Sequence, residues 1–443
     1  MPPMNALQST GLEKLKRAVN VRDEEVRALL WAFAYFFCLL CAYYVLRPVR
    51  DAMGLAGGVR NLQWLFTATF LTMLVAVPIF GTIVAKFPRR VFLPWVYWFF
   101  IINILIFYAV LQYKPWELYS ARVFFVWVSV FNLFIISVFW SFMADIFSNE
   151  QGKRLFGFIA AGGTAGALMG PAVTVTLAKS LGTANLLLIS AALLGIALIC
   201  LHKLIRITKL AQTEAAPSPD SEAIIGGGIL NGAVQVFKSP YLIGICLYLF
   251  IYTAISTFLY FQQAHIVADA FESKAERTQV FAVIDLSVGI VTLLMQLFVT
   301  GRFIRYLGIG AALAVVPLAS LIGFITLAIY PSLIAIIVFQ SLRRSCNFAF
   351  SRPAREVLYT VVSREEKYKC KNFIDTVVYR GGDAAFGWVF TGIKSMGASV
   401  SAMSLIAVPI AALGCVVAIL LGRKQNLLAL SQQSPHTIRE ESS

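Results

Sequence analysis

Charge is scarce in this chain, and negative charge most of all: 13% of its 443 residues are charged, with 22 Asp and Glu against 37 Lys and Arg. A soluble chain of this length needs more polar surface than that, and 59% hydrophobic content excludes one. Histidine is rarer still, and His202, His265 and His436 are too scattered for a cluster of metal ligands or proton carriers. His265 reads as structural. The 7 cysteines include no pair in a predicted outer loop, and the one CxxC spacing, Cys38 and Cys41, lies inside an apolar block, so neither a disulfide nor a metal site is expected. No GxSxG, HExxH or Walker-type GxxxxGK[ST] pattern occurs, and no soluble domain is present to hold one, which argues against an enzyme and against a cofactor. The net charge of +15 comes without a base-reading motif, so no nucleic-acid partner is expected. Met1 to Arg27 lacks the short apolar core and small-residue end of a cleaved signal peptide and is expected to stay on the cytoplasmic side.

What the chain has instead is long apolar blocks of roughly 20 residues, each able to cross a bilayer. They fall near 28–52, 62–84, 91–111, 123–147, 155–178, 184–202, 240–264, 278–300, 307–329, 333–360, 372–392 and 399–421. The pattern predicts an all-α polytopic membrane protein with twelve transmembrane helices in two six-helix bundles, 28–206 and 239–422. Between them, 207–238 contains Thr213 to Glu222 and Gly226-Gly227-Gly228, the composition of a flexible cytoplasmic linker. Segments 1–27 and 423–443 complete the organisation as a cytoplasmic N-terminal segment and a cytoplasmic tail. With both termini inside, Lys86, Arg89, Arg90, Lys153, Arg154, Lys203, Arg206, Arg302, Arg305, Lys371, Arg423 and Lys424 lie on the inner side. Few basic residues, such as Arg60, Lys114, Lys274 and Lys394, are left outside, as the positive-inside rule requires. The expected setting is a cell inner membrane crossed by a monomer whose partners are the lipid bilayer and a small solute.

An Arg-Pro-x-Arg-acid cluster occurs twice, as Arg47-Pro48-Val49-Arg50-Asp51 and Arg352-Pro353-Ala354-Arg355-Glu356, each toward the end of an apolar block. A centrally placed Arg facing lipid costs roughly 2.5 to 3.5 kcal/mol on insertion scales, so these arginines, with Arg343 and Arg344, must face protein or water. Arginine forms bidentate pairs with carboxylate and phosphate, which makes a water-filled path for an anionic solute the leading reading. The competing reading is internal ion pairing with Asp51, Glu356 and other acids. At about 100° per residue, Arg344, Ser351 and Arg355 fall within roughly 40° of one line over about 16 Å, with Asn347 and Arg352 near that face. Asp375, Tyr379 and Asp383 share a face two turns long, and Arg380 can meet Asp383 at i,i+3. Asp285 stands alone in an apolar run and is expected to be a counter-ion for one of the arginines, or a proton site. Tyr260, Phe261, Gln262 and Gln263, with Tyr43 and Tyr44, are candidates to contact a base.

Several of these stretches carry a resemblance. Gly81-Thr-Ile-Val-Ala-Lys86-Phe-Pro88-Arg89-Arg90 resembles the inner-loop signature of the major facilitator superfamily, with Ala85 where Asp is usual and Pro88 where Gly is usual. Gly301 to Gly308 resembles its second-half copy. Gly166-Ala-Leu-Met-Gly170-Pro171 is similar to the glycine-proline motif of antiporters in that superfamily, and its spacing is also that of plain helix packing. A narrower resemblance is to the ATP/ADP translocase type of nucleotide transporter. It is carried by Pro353-Ala-Arg355-Glu356-Val-Leu-Tyr359, Lys369-Cys-Lys371-Asn-Phe-Ile-Asp375 and Tyr379-Arg380-Gly381, by Leu46-Arg47 with Arg50-Asp51, and by Phe139-Trp140 and Lys153-Arg154-Leu-Phe156. The acid that this family places before the Phe-Trp pair is absent, Val128 and Asn132 occupying that region.

The resemblance implies that spans one, four, seven and ten line a central cavity. The solute-binding candidates are then Arg47, Arg50, Arg344, Asn347, Ser351, Arg352, Arg355, Tyr379 and Arg380. Asp51, Asp285, Glu356, Asp375 and Asp383 are the gating or coupling candidates. The reading is a carrier of an anionic, phosphorylated metabolite by nucleotide-type exchange. Its rivals are a proton-coupled carrier of another organic solute and a membrane sensor or assembly protein with a structural polar core.

Overall fold

The structure is a computed structural model that describes residues 21–440 except 23, 87–88, 213–228, 363–369 and 372. Phe87 and Pro88 of the inner-loop motif, and Lys369 and Asn372 of the late one, lie outside those residues. Among the described residues every regular element is helical, and 10 stretches are long and apolar enough to cross a membrane. One of them, Lys274–Ile329, is 56 residues long and bends at Gly308, whose φ of 77° only glycine adopts freely, so it comprises spans eight and nine. Ile374–Val378 with Tyr379–Ser395 forms span eleven, which Asp375, Arg380, Asp383 and Lys394 make too polar for that measure. The count thus reaches the expected twelve.

Local signals set the helix ends. Ser148 accepts from the Gln151 backbone N–H at 3.3 Å while the Gln151 side chain accepts from the Ser148 N–H at 2.9 Å, a capping box that starts span five (Asn149–Leu181). Ser239 and Pro240 start span seven (Pro240–Ala270), and Ser332 caps the first part of span ten (Leu333–Cys346). One expectation needs correction. The second part of the predicted flexible linker is a helix, Ile229–Lys238, whose Val236 packs into the core, and span six runs on to Gln212. The C-terminal tail is helical and continues span twelve, Val400–Glu440.

The chain forms two compact units that cut across the expected halves. Gly54–Val77 belongs with the C-terminal helices and Lys274–Val283 with the N-terminal ones. Side-chain contacts inside each unit account for this. In the first unit Lys274 pairs with Glu117, and the Gln279 amide donates to the Val175 carbonyl at 3.0 Å. In the second, Trp388 packs edge-on against Trp64 at 4.6 Å and donates to the Thr67 hydroxyl at 3.0 Å.

The first unit is built on close contact between span one (Val26–Gly54) and span five. A Cβ at Gly162 would sit 2.5 Å from the Phe33 carbonyl oxygen, and one at Gly166 2.2 Å from that of Phe37. Small residues at that spacing let two backbones approach, so here the glycine-proline motif serves helix packing. Aromatic rings fill the adjoining core, where Phe36 stacks on Phe139 at 4.1 Å and Tyr35 hydrogen-bonds Tyr97. Gly166→Val is expected to lower stability by about 1 to 3 kcal/mol, because the backbone it would strike cannot yield. The thermal melting temperature of the purified chain checks this, and Gly195→Ala, which meets nothing within 4 Å, should leave it nearly unchanged.

Glu25 closes one end of this contact, taking Arg154 at 2.9 Å and the Gln151 amide at 2.9 Å. Burial pushes the Glu25 carboxyl up, but hydrogen bonds from Arg154, the Arg22 N–H and Gln151 outweigh it and hold the pKa below the ordinary value. A carboxyl lowered on folding adds stability above its unfolded pKa of about 4.3 and loses it as pH falls through the folded value. Melting curves of the wild type should therefore fall more steeply below about pH 4 than those of Glu25→Gln.

Candidate functional site

In the second unit, three polar layers converge on span ten. The first joins span eight (Lys274–Met295) to span ten, where Arg344 reaches Asp285 at 2.7 Å with the Asp285 side chain 2% exposed. The isolated aspartate of the apolar run is thus an arginine counter-ion. Ser345 donates to the Val288 carbonyl at 3.1 Å, and the Gln296 amide to that of Phe348 at 3.4 Å, so these two spans are tied along several turns.

Arg343, next in the chain, is 3% exposed. Its Nε donates to the Gln340 side-chain oxygen at 3.3 Å, and its Nη1 has no hydrogen-bond partner. No acid pairs with it among the described residues. Removing a guanidinium from water without a counter-charge costs several kcal/mol, so the position demands an anion or a further acceptor. The side-chain oxygens of Asn347 and Ser341 are likewise buried without a partner.

The second layer lies one turn further on. Span ten makes a π-helical turn at Asn347–Ser351 before resuming at Arg352–Leu358. The wider turn changes the angle per residue, so Arg344 and Arg355 do not share the straight α-helical line that regular spacing predicts. Ser351 is fully buried and bonds the Tyr248 hydroxyl at 2.9 Å; because that hydroxyl donates to the Leu313 carbonyl, Ser351 is the donor. Ser351 therefore holds span seven rather than offering a free group to a solute. Arg352 is exposed, 5.7 Å from the Phe348 ring centroid, and Glu356 pairs with Lys371 at 2.7 Å with its side chain 55% exposed. An ion pair that open to solvent is worth about 1 kcal/mol or less.

The third layer is a ladder of cations and rings. Arg355 lies over Tyr252 at 5.5 Å, Tyr252 packs on Tyr379 at 5.9 Å, and Arg380 lies over Tyr379 at 5.5 Å. Arg380 meets Asp383 at 3.7 Å, as its i,i+3 spacing predicts, and Asp383 also accepts from the Thr257 hydroxyl at 3.2 Å. Asp375 is exposed on a second π-helical turn, Ile374–Val378. Two guanidinium groups held at either end of a tilted tyrosine pair present several donors to one planar or anionic group.

The first unit treats its Arg-Pro cluster differently. Arg50 lies 3.8 Å from the Phe125 ring centroid, donates to the Phe125 carbonyl at 3.2 Å and pairs with Asp51 at 2.9 Å. Arg47 lies over Tyr44 at 5.8 Å. Internal pairing, the competing reading of these motifs, therefore describes Arg50 and Asp51.

Tyr248 and Tyr252 are the site residues that sequence reasoning missed, although their i,i+4 spacing on span seven was visible. The chosen candidates on that span have other neighbours. Tyr260 and Phe261 pack on Phe66 at 5.4 and 5.3 Å, and Gln262 accepts from Ser404 at 3.2 Å. His265 is structural, its Nδ1 donating to the Phe261 carbonyl at 2.8 Å. Among the described residues no three His, Cys, Asp or Glu side chains gather as metal ligands.

Twelve spans, with buried Arg343 on the tenth and buried Tyr248 and Tyr252 on the seventh, make a multi-pass membrane protein, and the family match makes it a transporter. The family model described as Major Facilitator Superfamily matches residues 31–352, and the chain belongs to that family. The structure resembles the nucleoside transporter NupG with a TM-score of 0.59 and 14% identity, over 90% of this chain and 98% of that one. It resembles the POT family transporter PepTSo with a TM-score of 0.59 and 16% identity, over 92% and 98%. A peptide transporter POT in complex with alafosfalin gives 0.61 and 12%, over 91% and 99%. At these identities the likeness speaks for the fold. No curated protein sequence matches the chain.

Arg355→Ala is expected to abolish transport while the protein still inserts and melts cooperatively. Arg355→Lys should recover part of it, since the charge remains and the bidentate fork is lost. Uptake into proteoliposomes made with equal amounts of each variant checks this.

Proposed function

We propose that this chain carries an anionic, phosphate-bearing metabolite of the nucleotide type across the membrane by alternating access. The single observation that carries the proposal is Arg343, a guanidinium 3% exposed and with no acidic partner among the described residues. On the same unit Arg344, Arg355 and Arg380 are matched in number by Asp285, Asp375 and Asp383, so Arg343 is the surplus charge that an anion from outside would complete. The tyrosine pair between Arg355 and Arg380 suits a solute with a flat group beside its phosphate. NupG, of similar fold, is a nucleoside transporter, which agrees with a base-bearing solute without specifying one. The stretches that resemble ATP/ADP translocases, Glu356 and Tyr379-Arg380 among them, agree with this reading, although Arg355 stands where that family usually has Lys.

A carrier with a surplus buried cation reorients at a cost until an anion fills it. Vesicles preloaded with unlabelled nucleotide should therefore take up labelled nucleotide far faster than empty vesicles, with little effect of a protonophore. Because the acid near Val128 and Asn132 is missing, ATP and ADP should be taken up no better than other phosphorylated metabolites.

The buried Asp285–Arg344 pair favours a second reading. A solute phosphate and Asp285 compete for Arg344, which ties solute binding to that carboxylate. Uptake that needs a proton gradient and no preloading would replace exchange with proton coupling through Asp285.

A further inference from the structure

At the inner end of spans nine (Gly301–Ile329) and twelve, away from the arginine layers, lies a groove of about 450 Å³. Its geometry follows from one close approach: a Cβ on Gly422 would sit 2.2 Å from the Gly310 Cα, so the two helices touch backbone to backbone there. They leave a furrow beside that contact. Leu307, Ala311, Ala314, Leu318 and Ile419 line it, and Arg423 and Asn426 stand at its end. Leu307 is 61% exposed, Leu318 50% and Ile419 42%, so in a membrane this wall faces hydrocarbon rather than an aqueous path.

Length and charge identify the occupant. From Gly308 to Leu318 the helix rises about 15 Å, half of a hydrocarbon core of about 30 Å, so the furrow is as deep as one leaflet. Of the cations only Arg423 lines the groove; Arg302, Arg305 and Lys424, all exposed, adjoin its lining residues in sequence, while neither Gln296 to Ile329 nor Val400 to Ser434 contains an acidic residue. No ion pair reaches these four cations among the described residues. Tyr306, 78% exposed, stands at the level where aromatic residues mark the membrane boundary. Basic pockets between spans on the cytoplasmic side hold phospholipid head groups.

We infer that this groove is a binding site for an anionic phospholipid, its phosphate on Arg423 and Asn426 and one acyl chain along Ala311, Ala314 and Leu318. It is independent of the solute site.

The test uses the full chain in nanodiscs of phosphatidylcholine, with or without a fraction of phosphatidylglycerol, read by melting temperature and by lipid retained in native mass spectrometry. The wild type should melt higher with phosphatidylglycerol and retain it. Arg423→Gln should lose at least half of that rise, and so should Ala314→Phe, which fills the groove without changing charge. Lys203→Gln, which removes a cation from the inner end of span six, should keep the full rise. An equal rise in all four proteins, or none in the wild type, overturns the site. So does an equal rise from soluble glycerol phosphate, which would assign the cations to a free anion. If Ala314→Phe does not fold, Arg423→Gln against Lys203→Gln decides the matter alone.

Discussion

Everything polar in this bundle answers to one constraint: a guanidinium group inside a membrane protein must be met by a counter-charge, an aromatic face or a ring of acceptors. Arg344 has Asp285, Arg50 has Asp51 with the Phe125 ring and carbonyl, and Arg355 and Arg380 have the tyrosine pair. Each of these solutions fixes one span against another. The arginines therefore set helix registry as well as charge, and Arg343 is conspicuous because only Gln340 answers it.

The two Arg-Pro clusters occupy corresponding places in sequence yet end in different states. In the first unit Arg50 is matched by an acid one residue away and by an aromatic neighbour, so the cluster is electrically closed. In the second, Glu356 pairs with Lys371, leaving Arg355 to the rings of spans seven and eleven and to the charge of Asp375. Acid placement decides the difference. Asp51 is 6% exposed, whereas the Glu356 side chain is 55% exposed.

Much of the fold was legible because it rests on bulk properties. Apolar block length gave the spans, and only the linker, where composition is a weak guide, turned out more helical than expected. Pairs within a helix were also legible: Arg380 with Asp383 follows from i,i+3 spacing alone. Contacts between helices were harder. Asp285 was recognisable as a counter-ion, but its choice of Arg344 over Arg343 depends on which face of span ten meets span eight, and nothing local encodes that. Tyr248 and Tyr252 were passed over because tyrosines on a long apolar helix look like filler until the arginine opposite is known. The straight polar stripe failed for a specific reason: it assumed a constant angle per residue across a segment that widens into a π-helical turn.

That turn has a consequence for how the site tolerates change. A π-helical turn holds one residue more than an α-helical turn needs, so removing a single residue from Asn347–Ser351 would restore regular helix without uprooting the span. Because the wide turn absorbs that extra residue, Arg352, Arg355 and Glu356 would keep nearly the same facing relative to Arg343 and Arg344. Span eleven carries the same feature at Ile374–Val378, directly before Tyr379 and Arg380. A one-residue deletion inside either turn would thus keep the site's register, whereas the same deletion in the regular helix beside it would turn everything beyond by about 100°, so these turns are where the two spans can change length without changing what they face.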